Sequence, residues 1–303
     1  YLGITTGHNR IYDVVQQVAQ PEIQVLDIIG ADVLDVGRVF NTEDSDWYDV
    51  TLSNGVAAQW PGWFRPRHNK DGSYEYFDCE GTLIAKMPNG GMCFDQQYFP
   101  YKEDYPKNYN DLDKEMGKVI WSAMVHSPWD HSNEKYFWET LRERCLVLKN
   151  STDRALMITC GCNFFEWGTF LRRMENYLMD IYEEPEQVLA LNDQLLERHL
   201  KNLENTCKYL NGIVDIVRFG DDLGMNNNMF MSLEKYRTLF KPYHTKINEY
   251  VHKHSSMKTF LHSCGSIFPV IGDLAEAGFD ILNPVQTSAA NMDPAKLKQE
   301  YGK

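Results

Sequence analysis

From residue 155 onward the sequence repeats one pattern four times: a short β-prone apolar run, a cluster of polar residues, then a helical stretch. The runs are Ala155–Thr159, Ile213–Val217, Thr259–Leu261 and Phe279–Leu282. The clusters behind them are Cys160-Gly-Cys162-Asn163, Asp221-Asp222, His262-Ser-Cys264 and Asn283-Pro-Val-Gln286. Alternation of this kind builds a parallel sheet covered by helices, and such sheets gather their chemistry at the C-terminal strand ends. The expected fold is therefore α/β, a (β/α)8 TIM-type barrel carrying the four clusters on one rim. A fifth strand is expected over 31–37, after helical spacing over 11–29. A closed barrel needs eight strands, so segments are expected to be missing at one or both ends.

Helix signals fill the spaces between the runs. Helices are expected over 133–150 and in a long region after Asn163, whose second part opens at Pro185. That part carries Val188, Leu191, Leu195, His199, Leu203 and Leu210 on one face. Ser232 is a cap ahead of Leu233, Tyr236, Phe240, Tyr243 and Ile247. Ser266 is expected to start a helix ending at Gly278, and Asp293-Pro294 to start another.

Residues 40–118 break this rhythm. Ser53-Asn-Gly55, Lys70-Asp-Gly72 and Pro88-Asn-Gly-Gly91 are turn signals between short aromatic runs, so a β-hairpin insertion near the N-terminal side is expected within a single barrel domain spanning 1–303. Arg65 and Arg67 read as ordinary surface arginines of that insertion. Its aromatic excess points weakly to stacking on an aromatic methyl donor or a corrinoid face.

The net charge of −13 argues against nucleic acid or an anionic membrane as partner. No run approaches the ~18 apolar residues of a membrane span. Seven cysteines without a disulfide-framework spacing read as reduced thiols, hence a cytoplasmic protein.

The strongest chemical signal is His262-Ser-Cys264. Alternate residues of a strand share a face, so the imidazole and the thiol point the same way, as two of the three protein ligands of a catalytic zinc site. The third ligand could be Cys160, Cys162 or Asp222 from a neighbouring strand end, or a residue beyond Lys303. Asp221 and Asp222 are adjacent, so their side chains diverge: one enters the site while the other caps a turn. Both are candidate catalytic carboxylates, as is Glu166, from the first turn of a helix. Asn163, Asn283 and Gln286 are candidate substrate-orienting groups.

Phe219-Gly-Asp-Asp-Leu-Gly224, Met231-Ser232 with Phe240-Lys-Pro242, Leu261-His-Ser-Cys-Gly-Ser266 and Ile281-Leu-Asn-Pro-Val-Gln286 together resemble the uroporphyrinogen decarboxylase superfamily, and within it the methyltransferase-like branch. The resemblance covers about residues 155–303. It implies a zinc-dependent methyltransferase that moves a methyl group between a small donor or thiol acceptor and a corrinoid carried on a partner protein; a homodimer is compatible with it. His262 and Cys264 would then be the first two zinc ligands, the third being a cysteine several tens of residues further on. The true decarboxylases instead imply an arginine-rich N-terminal grip on porphyrinogen carboxylates, without metal, and no such basic segment is present. A decarboxylase, or a non-catalytic member that binds only a corrinoid or a partner protein, are the alternatives.

Overall fold

Each turn signal of the 40–118 stretch closes a hairpin. After β1 (Ile11–Asp13), β2 (Val18–Ala19), α1 (Ile23–Ile29) and β3 (Val33–Asp35) come β4 (Trp47–Thr51) and β5 (Ala57–Pro61), paired antiparallel across the Asn54-Gly55 turn. A four-stranded antiparallel sheet follows: β6 (Arg67–His68), β7 (Tyr74–Phe77), β8 (Leu83–Met87) and β9 (Asp95–Gln96). Gly55, Gly72 and Gly90 take positive φ values of 81°, 82° and 77° in these turns, a backbone region closed to most side chains. The computed structural model describes residues 2–4 and 7–302. They divide between two units, Tyr1–Pro100 with Asn108–Arg154, and Tyr101–Lys107 with Ala155–Lys303. The first unit also holds α2 (Leu112–Gly117), α3 (Ile120–Ala123) and α4 (Phe137–Asn150).

The aromatic excess of this unit builds its core. Trp60 and Phe64 are buried, and their rings meet edge-on at 5.1 Å, with Tyr74, Tyr76 and Phe94 around them. Such pairs stabilise by about 0.5–1.5 kcal/mol each beyond the area they bury. Arg65 and Arg67 behave as surface residues: Arg65 stacks 3.5 Å over Tyr48, and Arg67 pairs with Glu75.

The second unit follows the repeat seen in the sequence. Its elements are β10 (Ala155–Gly161), α5 (Phe165–Arg172), α6 (Met174–Glu183), α7 (Pro185–Leu210), β11 (Ile216–Gly220), α8 (Leu233–Leu239), α9 (Lys241–His254), β12 (Lys258–His262), α10 (Ile271–Glu276), β13 (Ile281–Asn283) and α11 (Pro294–Tyr301). The strands β10 to β13 lie side by side in sequence order, all parallel. Leu156, Ile158, Val217, Phe219, Thr259 and Leu261 form one face and are at most 1% exposed. On the opposite face Met157, Thr159, Arg218, Phe260, His262 and Ile281 are half-buried. The expected stripe of α7 is buried throughout, from Val188 to Leu210.

Several boundaries move. Over 11–29 only α1 is helical. Asp13 accepts from the amides of Val15 and Gln16, and Gln17 takes φ 54°; this side-chain-to-backbone turn outcompetes a helix already weakened by β-branched valines. The strand expected over 31–37 shortens to β3, because Asp35 caps a 3-10 turn over Val36–Val39. Helix α4 starts at Phe137, not 133. The second strand starts at Ile216, three residues late, since the amides of Ile213 and Val214 still bond Leu210 at the end of α7. Pro242 opens a separate helix α9 after Phe240. Ser266 starts no helix: its hydroxyl donates to Ala290 O, and α10 begins only at Ile271. Asp293 and Ser232 do cap, accepting from Lys296 and Lys235.

Candidate metal centre

The register of the parallel sheet brings the site together. Gly220 lies opposite His262, and His262 opposite Asn283, so residues just past β11, β12 and β13 share one corner. Among the described residues, Asp222, His262 and Cys264 form a group whose ligand atoms lie within 4.8 Å of one another. Cys264 Sγ is 3.4 Å from His262 Nε2, which is 3.9 Å from Asp222 Oδ1. Ligand atoms around one tetrahedral zinc, at bond lengths of ~2.0–2.3 Å, are separated by about 3.4–3.6 Å. The set is therefore near binding geometry, and small side-chain shifts would close it.

The surroundings hold these groups in the orientation a metal requires. His262 Nδ1 lies 2.8 Å from Asn283 Oδ1. That oxygen only accepts, so Nδ1 carries the proton and Nε2 turns its lone pair to the site. The Cys264 amide donates to Asp222 Oδ1 at 2.8 Å, and the Gly265 amide to Gln286 Oε1 at 2.8 Å. Gly224 and Gly265 let the two loops touch: a Cβ on Gly224 would sit 2.8 Å from Cys264 O, and one on Gly265 would overlap the Gly224 backbone. Burial, then the charges of Asp222 and Glu166, push the Cys264 thiol up to about 11, against the pull of Arg218. A metal ion would have to displace that proton.

The other sequence candidates take supporting places. Asp221 is fully buried; it accepts from the amides of Phe164, Phe165 and Glu166, capping α5, and lies 3.0 Å from His244 Nε2. The adjacent aspartates thus diverge as expected, Asp222 into the site and Asp221 beneath it. Asn163 donates to Glu166 and takes a hydrogen bond from His199 Nε2 on its carbonyl. Asn283, Gln286 and Asn163 therefore brace the site's own groups. Cys160 and Cys162 stay out of it: Cys160 Sγ faces Thr206 Oγ1 at 3.6 Å, Cys162 is 2% exposed, and burial pushes both thiols up.

Glu166 lies over Gly220, whose added Cβ would be 3.6 Å from Oε2. Burial first, then the charges of Asp221 and Asp222, push its carboxyl up to about 8. Between pH 4.5 and 8 the folded chain keeps a proton that the unfolded chain releases, so this group's stabilisation is full below 4.5 and is lost as pH rises through 8. His199 runs the other way: burial pushes it down to about 4, so its effect lies below pH 6.5. Over pH 6.5–8 the Glu166 slope stands alone of the two. Denaturation of the wild type should show stability falling by roughly 1–2 kcal/mol across that window, and Glu166→Gln should flatten the slope.

His199, His244 and Tyr236 were not singled out as site residues by sequence. Tyr236 Oη and His244 Nδ1 are 3.1 Å apart, continuing the buried chain from Asp221. The available signal was a histidine on the apolar stripe of α7 and another beside Tyr243.

No helix among the described residues is long and apolar enough to cross a membrane. No curated protein matches the chain. The fold is similar to that of a methyltransferase from Methanosarcina mazei, at 16% identity and a TM-score of 0.43, over 65% of this chain and 51% of that one; the chain thus spans about half of that protein's length. Residues 164–299 match the uroporphyrinogen decarboxylase (URO-D) family profile, a segment that contains Glu166, Asp221, Asp222, His262 and Cys264. The chain's similarity to the uroporphyrinogen decarboxylase family is thus carried by this segment.

Proposed function

We propose that the chain is a zinc-dependent methyltransferase of the methyltransferase-like branch, built on a (β/α)8 barrel, with Asp222, His262 and Cys264 as the protein ligands. It moves a methyl group between a small donor or thiol acceptor and a corrinoid carried on a partner protein. The observation that supports this most is the convergence of one oxygen, one nitrogen and one sulfur within 4.8 Å at the strand ends. Three mixed ligands leave a fourth position for substrate, the pattern of catalytic rather than structural zinc. Asp222 is the third ligand offered among the described residues. The metal, when bound, supplies a Lewis acid for an ether oxygen or holds a thiol as thiolate.

The chain's own groups do the rest. Asn283 keeps the His262 imidazole in the ligating tautomer, and the Cys264 amide fixes one oxygen of Asp222. Glu166 keeps its proton at neutral pH and is placed to give it to an oxygen that loses a methyl group. Asp221 acts as a positioning residue, holding the first turn of α5 and so Glu166.

The test is methylation of free cob(I)alamin, followed by its absorbance, with 4-methoxybenzoate or a methylated thiol as donor. Zinc-loaded wild type should turn over, and Cys264→Ser should lose at least about 100-fold. Consumption of uroporphyrinogen by metal-free protein, with no methylation, would instead mark a decarboxylase.

A further inference from the structure

We propose that Arg218 is the anchor for a substrate carboxylate, so that the small molecule exchanging its methyl group here is an anionic carboxylic acid with an apolar body. The inference rests on the reading of Asp222, His262 and Cys264 as the reaction centre. Arg218 sits on β11 opposite Thr159 and Phe260, and Gly220, two residues on, lies opposite His262. Residues two apart share a face, so the guanidinium belongs to the half-buried face that carries His262. It lies one layer below, about 6.6 Å along the strand.

Arg218 is without a counter-ion. Among the described residues its hydrogen bond is to Thr159 Oγ1, at the 3.5 Å limit, and no carboxylate pairs with it. Three other half-buried arginines do have one: Arg10 pairs with Asp44, Arg154 with Asp27 at 2.6 Å, and Arg172 with Asp180 at 2.8 Å, whereas Arg38 bonds the carbonyl of Pro21 instead. A guanidinium partly removed from water and left without an anion is costly. It presents a planar fork of donors that matches a carboxylate. The nearby acids are engaged elsewhere: Asp222 faces the His262–Cys264 pair, and Glu166 accepts from Asn163.

The residues around the guanidinium fix the body of the ligand. Phe260 and Ile281 stand beside each other in register on the same face as Arg218, with Met157 on the far side of Thr159. Apolar side chains beside a cation, one layer below the candidate metal centre, suit an aromatic acid whose methyl-bearing atom lies across the ring from its carboxylate. A neutral ether of the same shape would leave the guanidinium without its partner.

Calorimetric binding of 4-methoxybenzoate and of 4-methoxybenzamide, to zinc-loaded and metal-free protein, tests this directly. The wild type should prefer the acid by about 10- to 100-fold in both forms. Arg218→Met should erase the preference by weakening the acid alone, and Arg218→Lys should restore part of it, with zinc content unchanged in both. Equal affinities in the wild type, no binding of either compound, or a preference that survives in Arg218→Met would overturn the assignment. A protein that takes up no zinc yet keeps the acid preference would sink the metal reading and leave this one standing. Zinc uptake without the preference would do the reverse.

Discussion

Asp221→Ala should be the most destabilising single change near the site, lowering the thermal midpoint by on the order of 10 °C. The carboxylate is fully buried and accepts three backbone amides at 2.9–3.2 Å while facing His244 at 3.0 Å. Removing it leaves the first amides of α5 without acceptors and His244 Nε2 without its partner. Each orphaned buried donor costs about 1–3 kcal/mol; the effects overlap and do not add. The helix also loses a negative group at its N-terminus. Asp221→Asn keeps one accepting oxygen and should fall between. Because Glu166 rides on this first turn, the pH 6.5–8 stability slope should flatten in Asp221→Ala as well. A variant with a near-native midpoint would mean that water or another side chain satisfies these amides.

Gly265→Ala should strip the site of metal while leaving most of the fold in place. Gly265 has φ +92°, and an added Cβ would overlap the Gly224 backbone, which has no flexible end to yield. The left-handed conformation alone costs about 1–2 kcal/mol for a residue with a Cβ. Relief requires the β12 loop to move away from the β11 loop, carrying Cys264 from Asp222, whose Oδ1 holds the Cys264 amide. A shift near 1 Å spoils ligation, so zinc affinity should fall by at least roughly 100-fold with the far-ultraviolet circular dichroism nearly unchanged. Retained affinity would show that the loops part without moving the sulfur. Gly224→Ala, whose Cβ would meet Cys264 O at 2.8 Å, should act in the same direction.

The site was legible where one strand decided the geometry. His262 and Cys264 follow from a period of two, and their side chains do meet. Asp222 was one of four options for the third ligand, beside Cys160, Cys162 and a residue beyond Lys303, because choosing it needs the register that sets Gly220 against His262, a contact between segments some forty residues apart. The roles of Asn283 and Gln286 were hidden for the same reason: as isolated neutral residues they read as substrate-orienting, whereas β13 pairing places them against His262 and Gly265. Asp221 could be seen only as the half of the pair that caps something; what it caps begins fifty-odd residues earlier, in α5. In the first unit, the Asn-Gly and Asp-Gly turns announced the hairpins, since few other residues allow that backbone. The 11–29 stretch misled because valines at helical spacing are also good strand and turn residues, and Asp13 tips the balance.

The most direct test of the central claim is zinc stoichiometry and affinity by chelator competition, on the wild type and on Asp222→Ala, His262→Ala and Cys264→Ser. The account predicts about one zinc per chain for the wild type and, for each variant, an affinity lower by roughly 100-fold or more with the fold intact. A wild type that holds zinc no better than the three variants would contradict it.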